Sequence, residues 1–392
     1  MADRSKAGGC FFQGQRWASI ATMAGVVVAV GSLPAPAKLA QLDTLFVFGD
    51  SYSDAGNSGL LTKAVVPPTG YPPAPYANGR ASNGPVAVEH LWSLFNPSAP
   101  PLKPSLAGGT AYAVVGATSG RDNQFAVDDN PQTIPLRPFY ANTSGYSQLN
   151  GFLSATTAFQ PNTTLFVFWL GANDGLYWLK TRDANGLGST PGTITGDPPS
   201  AGKTANDLIT NAISNIDVGL KSLINAGATH ILVPNLIDLS RAPLYNNDPL
   251  TAAGVQQLVV GFNTLLAAQL TALQAANPTV DLIAFDTFSL FNQISSQPAA
   301  HGLTNVTDRC VTHATTCNPD QWFFWDGTHL TSKGHSLLAQ GFYNQVPAPL
   351  PVVGAGVVLG WARQLRCRVS AGRRRAVAGG GRDEDRGEGR KG

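Results

Sequence analysis

Residues 44–54 read TLFVFGDSYSD, and they give the strongest indication of the fold. Its first part, Thr44 to Phe48, is a continuous apolar and β-prone run, which is typical of a strand buried on both faces of a parallel sheet. Gly49 then allows a sharp exit, so Ser51 falls at the carboxyl end of the strand. Because ligands of open α/β sheets bind outside these strand ends, Ser51 is the first candidate site residue.

Three further apolar runs of strand length follow at residues 164–170, 230–236 and 280–285. Apolar residues recur every three or four positions over 208–224 and again over 255–273, which predicts two amphipathic helices. Alternating strands and helices indicate right-handed βαβ crossovers. We therefore expect an α/β fold, a three-layer α/β/α sandwich with a central, mainly parallel sheet.

Two stretches lack this periodicity: residues 65–84, with their prolines and tyrosines, and residues 181–203, with their glycines, prolines and threonines. We interpret both as long loops. Such loops often cover a site, although a solvated insertion is an equal alternative.

The first 40 residues have the pattern of a secretory signal peptide. Basic residues at Arg4, Lys6 and Arg16 precede an apolar stretch that ends in the small-residue run 34–37. A transmembrane anchor is the alternative, but the apolar part is shorter than the roughly 20 residues that cross a bilayer. We predict an exported protein with its catalytic domain at residues 41–345.

The other end of the chain combines a proline-rich start, an apolar stretch at 352–362 and three arginines. Residues 346–368 resemble the PEP-CTERM sorting signal of exported bacterial surface proteins. The alternative is a single-span anchor with a cytoplasmic basic tail, and the charges fit both. Either would attach the protein to a membrane or surface, and the Gly/Arg-rich tail, residues 369–392, is predicted to be disordered.

Charge and cysteine content exclude several function classes. The net charge is +2, but residues 1–40 hold four basic and one acidic residue and residues 363–392 hold ten and four, so 12 basic and 19 acidic residues remain between them. This acidic body argues against nucleic acid as a partner. Of four cysteines, Cys310 and Cys317 lie outside the terminal segments, and their close spacing predicts a disulfide. Two cysteines alone do not predict a metal site.

A serine hydroxyl is a weak nucleophile, so Ser51 needs a base and an acid that orients the base. Residues 325–329, WDGTH, offer both, because one loop could present Asp326 to the Nδ1 proton of His329 and leave Nε2 facing the serine. Each motif alone is also typical of a simple turn or a helix N-cap.

A third motif follows the apolar run 166–170, where the chain continues GAND over residues 171–174. The side-chain amide of Asn173 could donate a hydrogen bond to an oxyanion. A structural asparagine in a turn is the alternative.

In this order, GDS at 49–51, GAND at 171–174 and DGTH at 326–329 resemble the motifs of the GDSL/SGNH hydrolases. The resemblance spans residues 43–344. Flanking segments at 76–85, 148–153 and 317–326 are similar to the branch of plant GDSL lipases and bacterial secreted phospholipase or haemolysin-like esterases.

The resemblance implies the flavodoxin-like SGNH fold and a reaction without metal or organic cofactor. It also implies that Ser51 is the nucleophile, His329 the general base and acid, and Asp326 the residue that holds the imidazolium. The implied oxyanion hole consists of the backbone amides of Ser51 and Gly116 and the side chain of Asn173. The family pattern NYAxGGA reads AYAVVGA at 111–117, so Val115 replaces its first glycine.

These residues predict an exported serine ester hydrolase that forms an acyl-enzyme on Ser51, with an acyl ester, of a lipid or a small carboxylic acid, as substrate. A carbohydrate acetylesterase is one alternative. A non-catalytic surface or matrix protein on the same fold is another.

Overall fold

The computed structural model describes residue 39 and residues 41–155, 158–313 and 315–346. Apart from Leu39 and Val346, the predicted signal peptide, sorting segment and basic tail lie outside these ranges.

Within the described ranges the chain forms six strands and nine α-helices. The strands are β1 (Thr44–Gly49), β2 (Thr164–Trp169), β3 (Gly188–Thr190), β4 (Ser200–Lys203), β5 (His230–Pro234) and β6 (Asp281–Phe285). The helices are α1 (Asn57–Thr62), α2 (Ala87–Phe95), α3 (Arg137–Tyr140), α4 (Gly145–Ser154), α5 (Ala172–Lys180), α6 (Ala205–Asn225), α7 (Pro249–Ala276), α8 (Thr287–Ser296) and α9 (Ser332–Gln345).

Four strands form the central sheet in the order β1-β2-β5-β6, and every pairing is parallel. Side chains alternate between the two faces of a strand, so each paired row points to one face. One such row is Phe46, Phe166, Ile231 and Leu282, and the next is Val47, Val167, Leu232 and Ile283.

Each row is buried in a different core. The Phe46 row packs with α4, α6 and α7, represented by Phe152, Leu220 and Phe262. The Val47 row packs with α2, α8 and α9, represented by Leu91, Phe291 and Phe342. The predicted three-layer α/β/α sandwich with a mainly parallel sheet is confirmed.

A short segment extends the sheet beyond β1. The amide of Val47 donates to the carbonyl of Thr110 (3.1 Å), and the amide of Tyr112 donates to the carbonyl of Val47 (2.7 Å), which makes a parallel bridge at Ala111. Because this segment runs parallel to β1, it delivers residues 115 and 116 to the strand end that carries Ser51.

The two helices expected from periodicity are present as α6 and α7. Thr204 and Asp207 form a capping box at the start of α6, and Asp248 caps the first turn of α7. By length and mean hydropathy α7 could cross a membrane. Here one of its faces, including Val259 and Leu266, is instead buried in the core.

The two predicted loops differ in structure. Residues 188–203 contain the antiparallel pair β3–β4, so this part of the stretch is not an irregular loop. The pair packs on α5, where the indole of Trp178 donates to the carbonyl of Lys203 (2.8 Å). The stretch 65–84, in contrast, contributes side chains to the candidate site.

Candidate active site

Ser51 lies in a tight turn directly after β1. The amide of Ser53 donates to the carbonyl of Asp50 (3.0 Å), and the amide of Tyr52 donates to the Asp50 carboxylate (3.0 Å). A Cβ atom on Gly49 would lie 2.9 Å from Cβ of Ser53 and 3.1 Å from the carbonyl oxygen of Trp169. The turn therefore requires glycine at position 49.

The structure brings Ser51 together with Asp326 and His329, although Ser51 and His329 are 278 positions apart in the sequence. Oγ of Ser51 lies 2.9 Å from Nε2 of His329. Nδ1 of His329 lies 2.8 Å from Oδ2 and 3.0 Å from Oδ1 of Asp326. This is the geometry in which a base takes the serine proton while a carboxylate fixes the tautomer and orientation of the imidazole.

Several donors fix the carboxylate of Asp326. Oδ1 accepts the backbone amides of Thr328 (2.9 Å) and His329 (2.8 Å), and Oδ2 accepts the hydroxyl of Tyr76 (2.8 Å). Tyr76 belongs to the stretch 65–84 and begins the flanking segment 76–85 that resembles the family, but that resemblance assigned it no role. The hydroxyl of Tyr52 also donates to the carbonyl of Thr328, which ties the histidine loop to the serine turn.

The two charged partners shift each other's pKa. Burial alone would raise the pKa of Asp326, but the charge and hydrogen bond of His329 hold it well below the usual value. Burial alone would lower the pKa of His329, yet the Asp326 carboxylate raises it above 6.5. This pair favours an ionised carboxylate beside an imidazole that is more basic than usual.

The three residues predicted to form the oxyanion hole, Ser51, Gly116 and Asn173, border one cavity. In the described part of the chain, neither the amide of Ser51 nor that of Gly116 donates a hydrogen bond to a protein acceptor. The side-chain nitrogen of Asn173 donates one hydrogen to Asp50 (3.0 Å), which leaves its second hydrogen for a ligand.

The loop that carries Gly116 tolerates valine at position 115. Only the glycine lies in the left-handed region, with φ of 78°. The amide of Val115 is fixed by the carboxylate of Asp54 (3.0 Å) and the hydroxyl of Ser58 (3.0 Å). A Cβ on Gly116 would lie 2.5 Å from Oδ1 of Asn123, so glycine is required at 116 and not at 115.

Two buried carboxylates brace this region. Asp174 accepts the amide (2.8 Å) and the hydroxyl (2.6 Å) of Ser119, which anchors α5 to the loop after Gly116. Asp50 connects the serine turn to Asn173. Burial raises the pKa of each of these two carboxyl groups to about 6.

Cys310 and Cys317 form a disulfide in the structure, with Cα atoms 5.3 Å apart. The segment that starts at Cys310 runs beside the approach to the histidine loop. The amide of Cys310 donates to the carbonyl of Phe324 (3.2 Å), and that of Val311 donates to the carbonyl of Trp325 (2.9 Å). The disulfide therefore closes a segment that is hydrogen-bonded directly before Asp326.

A cavity of about 550 Å³ opens beside Ser51, Asn173 and His329. Most of its lining side chains are apolar, and the stretch 65–84 supplies Tyr71, Pro72, Pro73 and Tyr76. Among the described residues, no group of three His, Cys, Asp or Glu side chains could hold a metal ion.

A serine, histidine and aspartate in hydrogen-bonded series at the carboxyl edge of a parallel sheet are typical of α/β serine hydrolases. Residues 45–342 match the model of the family described as GDSL-like Lipase/Acylhydrolase. The chain belongs to this family, and it is a carboxylic-ester hydrolase.

The chain is also similar to several known proteins. A GDSL esterase/lipase of Arabidopsis thaliana is 24% identical over 76% of this chain and 84% of its own length. The thermolabile hemolysin of Vibrio parahaemolyticus is 24% identical over 76% of this chain and 63% of its own length. Among solved structures, an acetylxylan esterase of Geobacillus stearothermophilus is 11% identical with a TM-score of 0.38, covering 80% of this chain and 97% of its own.

Proposed function

We propose that this protein is an exported serine ester hydrolase that cleaves acyl esters, of lipids or small carboxylic acids, through an acyl-enzyme on Ser51. The observation that carries the proposal is the 2.9 Å contact between Oγ of Ser51 and Nε2 of His329, with Asp326 on the opposite nitrogen. Similarity to the thermolabile hemolysin supports, in addition, a place in the haemolysin-like branch.

In the proposed reaction, Nε2 of His329 takes the hydroxyl proton while Oγ of Ser51 bonds to the ester carbonyl carbon. The carbonyl oxygen becomes an oxyanion and accepts hydrogen bonds from the amides of Ser51 and Gly116 and from Asn173. Each such donor contributes roughly 3 to 4 kcal/mol in measured hydrolases. The intermediate collapses as the carbon–oxygen bond to the alcohol breaks, and the imidazolium returns its proton to the leaving alcohol.

The acyl-enzyme is then hydrolysed by the reverse use of the same groups. His329 takes a proton from water as the water oxygen bonds to the acyl carbon. The second tetrahedral intermediate expels Oγ of Ser51, which regains a proton from the imidazolium. The products are one carboxylic acid and one alcohol, and the protein is restored.

Export is part of the proposal. It is supported by the charged, apolar and small-residue order of residues 1–40 and by the disulfide between Cys310 and Cys317, a bond that persists in oxidising compartments. Residues 346–368 are proposed as a PEP-CTERM-like sorting or anchoring segment. Fractionation of producing cells tests this: a chain that stays in the cytoplasm with residues 1–40 uncleaved would contradict export.

The cavity size and the substrate profile distinguish the proposed function from its alternatives. A cavity of about 550 Å³ exceeds the need of an acetyl group, which favours longer acyl chains over a carbohydrate acetylesterase. The rates of hydrolysis of p-nitrophenyl esters from acetyl to palmitoyl, with Ser51→Ala as the control, distinguish the three functions. A profile confined to acetyl supports the acetylesterase, and folded protein without turnover supports the non-catalytic surface protein.

A further inference from the structure

The side chains around the cavity fall into two chemically different groups, which α5 connects. Asn173, Leu176 and Lys180 are spaced by three and four residues, so they lie along one face of this helix. All three border the cavity. A helical rise of 1.5 Å per residue places Lys180 roughly 10 Å along the axis from Asn173.

The first group is apolar and comes from α5, α6 and α7. It begins beside the oxyanion donors, because the ring of Phe262 lies against Gly171, where an added Cβ would come within 2.4 Å of the ring. Other members are Leu176, Leu179, Leu208, Ile209, Val255 and Leu258. We name this group the apolar arm, and it offers an acyl chain several methylenes of contact.

The second group is polar and surrounds Lys180. Nζ of Lys180 lies 2.9 Å from the carboxylate of Asp128 and donates to the side-chain oxygen of Gln124 (2.8 Å). The other oxygen of Asp128 accepts the hydroxyl of Thr133 (2.8 Å). The ring of Phe125 also borders this part of the cavity. We name Gln124, Asp128, Thr133 and Lys180 the polar arm.

The polar arm has no net charge. Although burial raises the pKa of Asp128, hydrogen bonds from Lys180 and Thr133 lower it below the usual value, so Asp128 is ionised and neutralises the lysine. Within the described residues, the other acidic side chains that border the cavity are those of Asp174 and Asp326, and no arginine borders it. A phosphate group would meet no uncompensated positive charge in the polar arm, whereas hydroxyl groups match the amide of Gln124 and the ion pair.

We infer that the substrate joins an acyl chain of several methylenes to an uncharged polyhydroxyl alcohol. The acyl chain occupies the apolar arm, and the alcohol lies against the polar arm. This inference rests on the proposed ester hydrolysis and specifies both halves of its substrate.

The alcohol side is tested with two substrates that share one acyl chain, monolauroylglycerol and lauroyl lysophosphatidic acid. For the full-length protein we expect kcat/KM to be at least tenfold higher for monolauroylglycerol. Asp128→Asn leaves the Lys180 charge without its partner, so we expect this preference to narrow severalfold. The matched control is Asp129→Asn, an equal charge change at an exposed neighbour outside the cavity lining, which we expect to keep the wild-type ratio.

An equal or faster rate on the phosphate ester by the wild-type protein would overturn the assignment of an uncharged alcohol. The assignment would also be overturned if Asp128→Asn unfolds at the wild-type temperature and keeps the wild-type ratio of the two kcat/KM values.

The acyl side is tested by filling the apolar arm. Val255 borders the cavity, whereas Val260 lies on the same helix outside it and is 45% exposed. We expect Val255→Trp to lower the ratio of lauroyl to acetyl p-nitrophenyl ester turnover at least tenfold, and Val260→Trp to leave that ratio unchanged. A ratio unaffected by Val255→Trp would overturn the placement of the acyl chain. Absence of all ester turnover in the wild-type protein would instead overturn the proposed function, and the inference with it.

Discussion

The hydroxyl of Tyr76 donates a 2.8 Å hydrogen bond to Oδ2 of Asp326, the same oxygen that lies 2.8 Å from Nδ1 of His329. Tyr76 also borders the cavity, and its ring meets that of Trp325 edge to face. The stretch 65–84 is thereby connected both to the substrate cavity and to the carboxylate that orients the base.

This relationship predicts the effect of Tyr76→Phe. A hydrogen bond to a charged group contributes about 1.5 to 3 kcal/mol to stability, so we expect the free energy of unfolding to fall by about this amount, and kcat to fall because Asp326 orients the base less well. Because the carboxylate then concentrates its charge on the imidazole, the acid limb of the kcat/KM profile should move to higher pH. Tyr71→Phe is the control, since Tyr71 borders the cavity without bonding to Asp326. An unmoved acid limb in Tyr76→Phe would contradict the positioning role.

The raised pKa of His329 predicts the pH dependence of the reaction. His329 acts as a base when neutral, so kcat/KM should fall as the pH drops through a pKa above 6.5. Titration of the imidazole by NMR in Ser51→Ala gives this pKa directly, and adding Asp326→Asn should lower it. The same shift stabilises the folded protein below pH 6.5, a contribution that is lost as the pH rises through the folded-state pKa. Equal imidazole pKa values in the two proteins would contradict the electrostatic coupling.

The oxyanion hole predicts a large loss of kcat on removal of the Asn173 side chain and a smaller loss on alteration of its partner Asp50. Asn173→Ala should reduce kcat by roughly 100- to 1,000-fold with a small change in KM, because the lost donor acts on the transition state. The Asp50 carboxylate accepts hydrogen bonds from the amide of Tyr52 and the side chain of Asn173. Asp50→Asn keeps one of these two acceptor oxygens, so we expect a smaller reduction of kcat than in Asn173→Ala. Steady-state kinetics on p-nitrophenyl butyrate measure both. A rise in KM with little change in kcat would indicate that Asn173 stabilises the bound substrate and the transition state equally.

The disulfide predicts a loss of stability. Replacing both Cys310 and Cys317 by serine should lower the free energy of unfolding by about 2 kcal/mol, as expected for a short closed loop. Since this segment is hydrogen-bonded beside Phe324 and Trp325, kcat should fall as well. Urea unfolding and turnover of the double variant, compared with the oxidised wild-type protein, test both effects. Full stability and full activity together would show that the bond does not order the histidine loop.

Much of the fold follows from local sequence. The run Thr44–Phe48 and the runs at 164–170 and 230–236 became β1, β2 and β5, because strands buried on both faces need continuous apolar residues. The helices α6 and α7 followed from apolar periodicity. The segment at Ala111 was missed, because it pairs only through isolated bridges to Val47 and Pro104 and forms no regular strand.

The candidate site was predictable only where a residue lies in a motif. Ser51, Asn173, Asp326 and His329 stand directly after strands or in one short loop. Contacts made by tertiary packing left no local pattern. Tyr76 and Asp326 are 250 positions apart, and Asp54 meets the amide of residue 115 from 61 positions away.

Labelling with a fluorophosphonate probe is the sharpest test that Ser51 is the nucleophile. The purified full chain is incubated with the probe, digested and examined by peptide mass spectrometry, with Ser51→Ala treated in parallel. We expect one phosphonyl adduct on Ser51, no adduct in the variant, and loss of p-nitrophenyl ester turnover in both labelled protein and variant. Unlabelled Ser51 in folded protein, or full turnover by Ser51→Ala, would show that Ser51 is not the nucleophile.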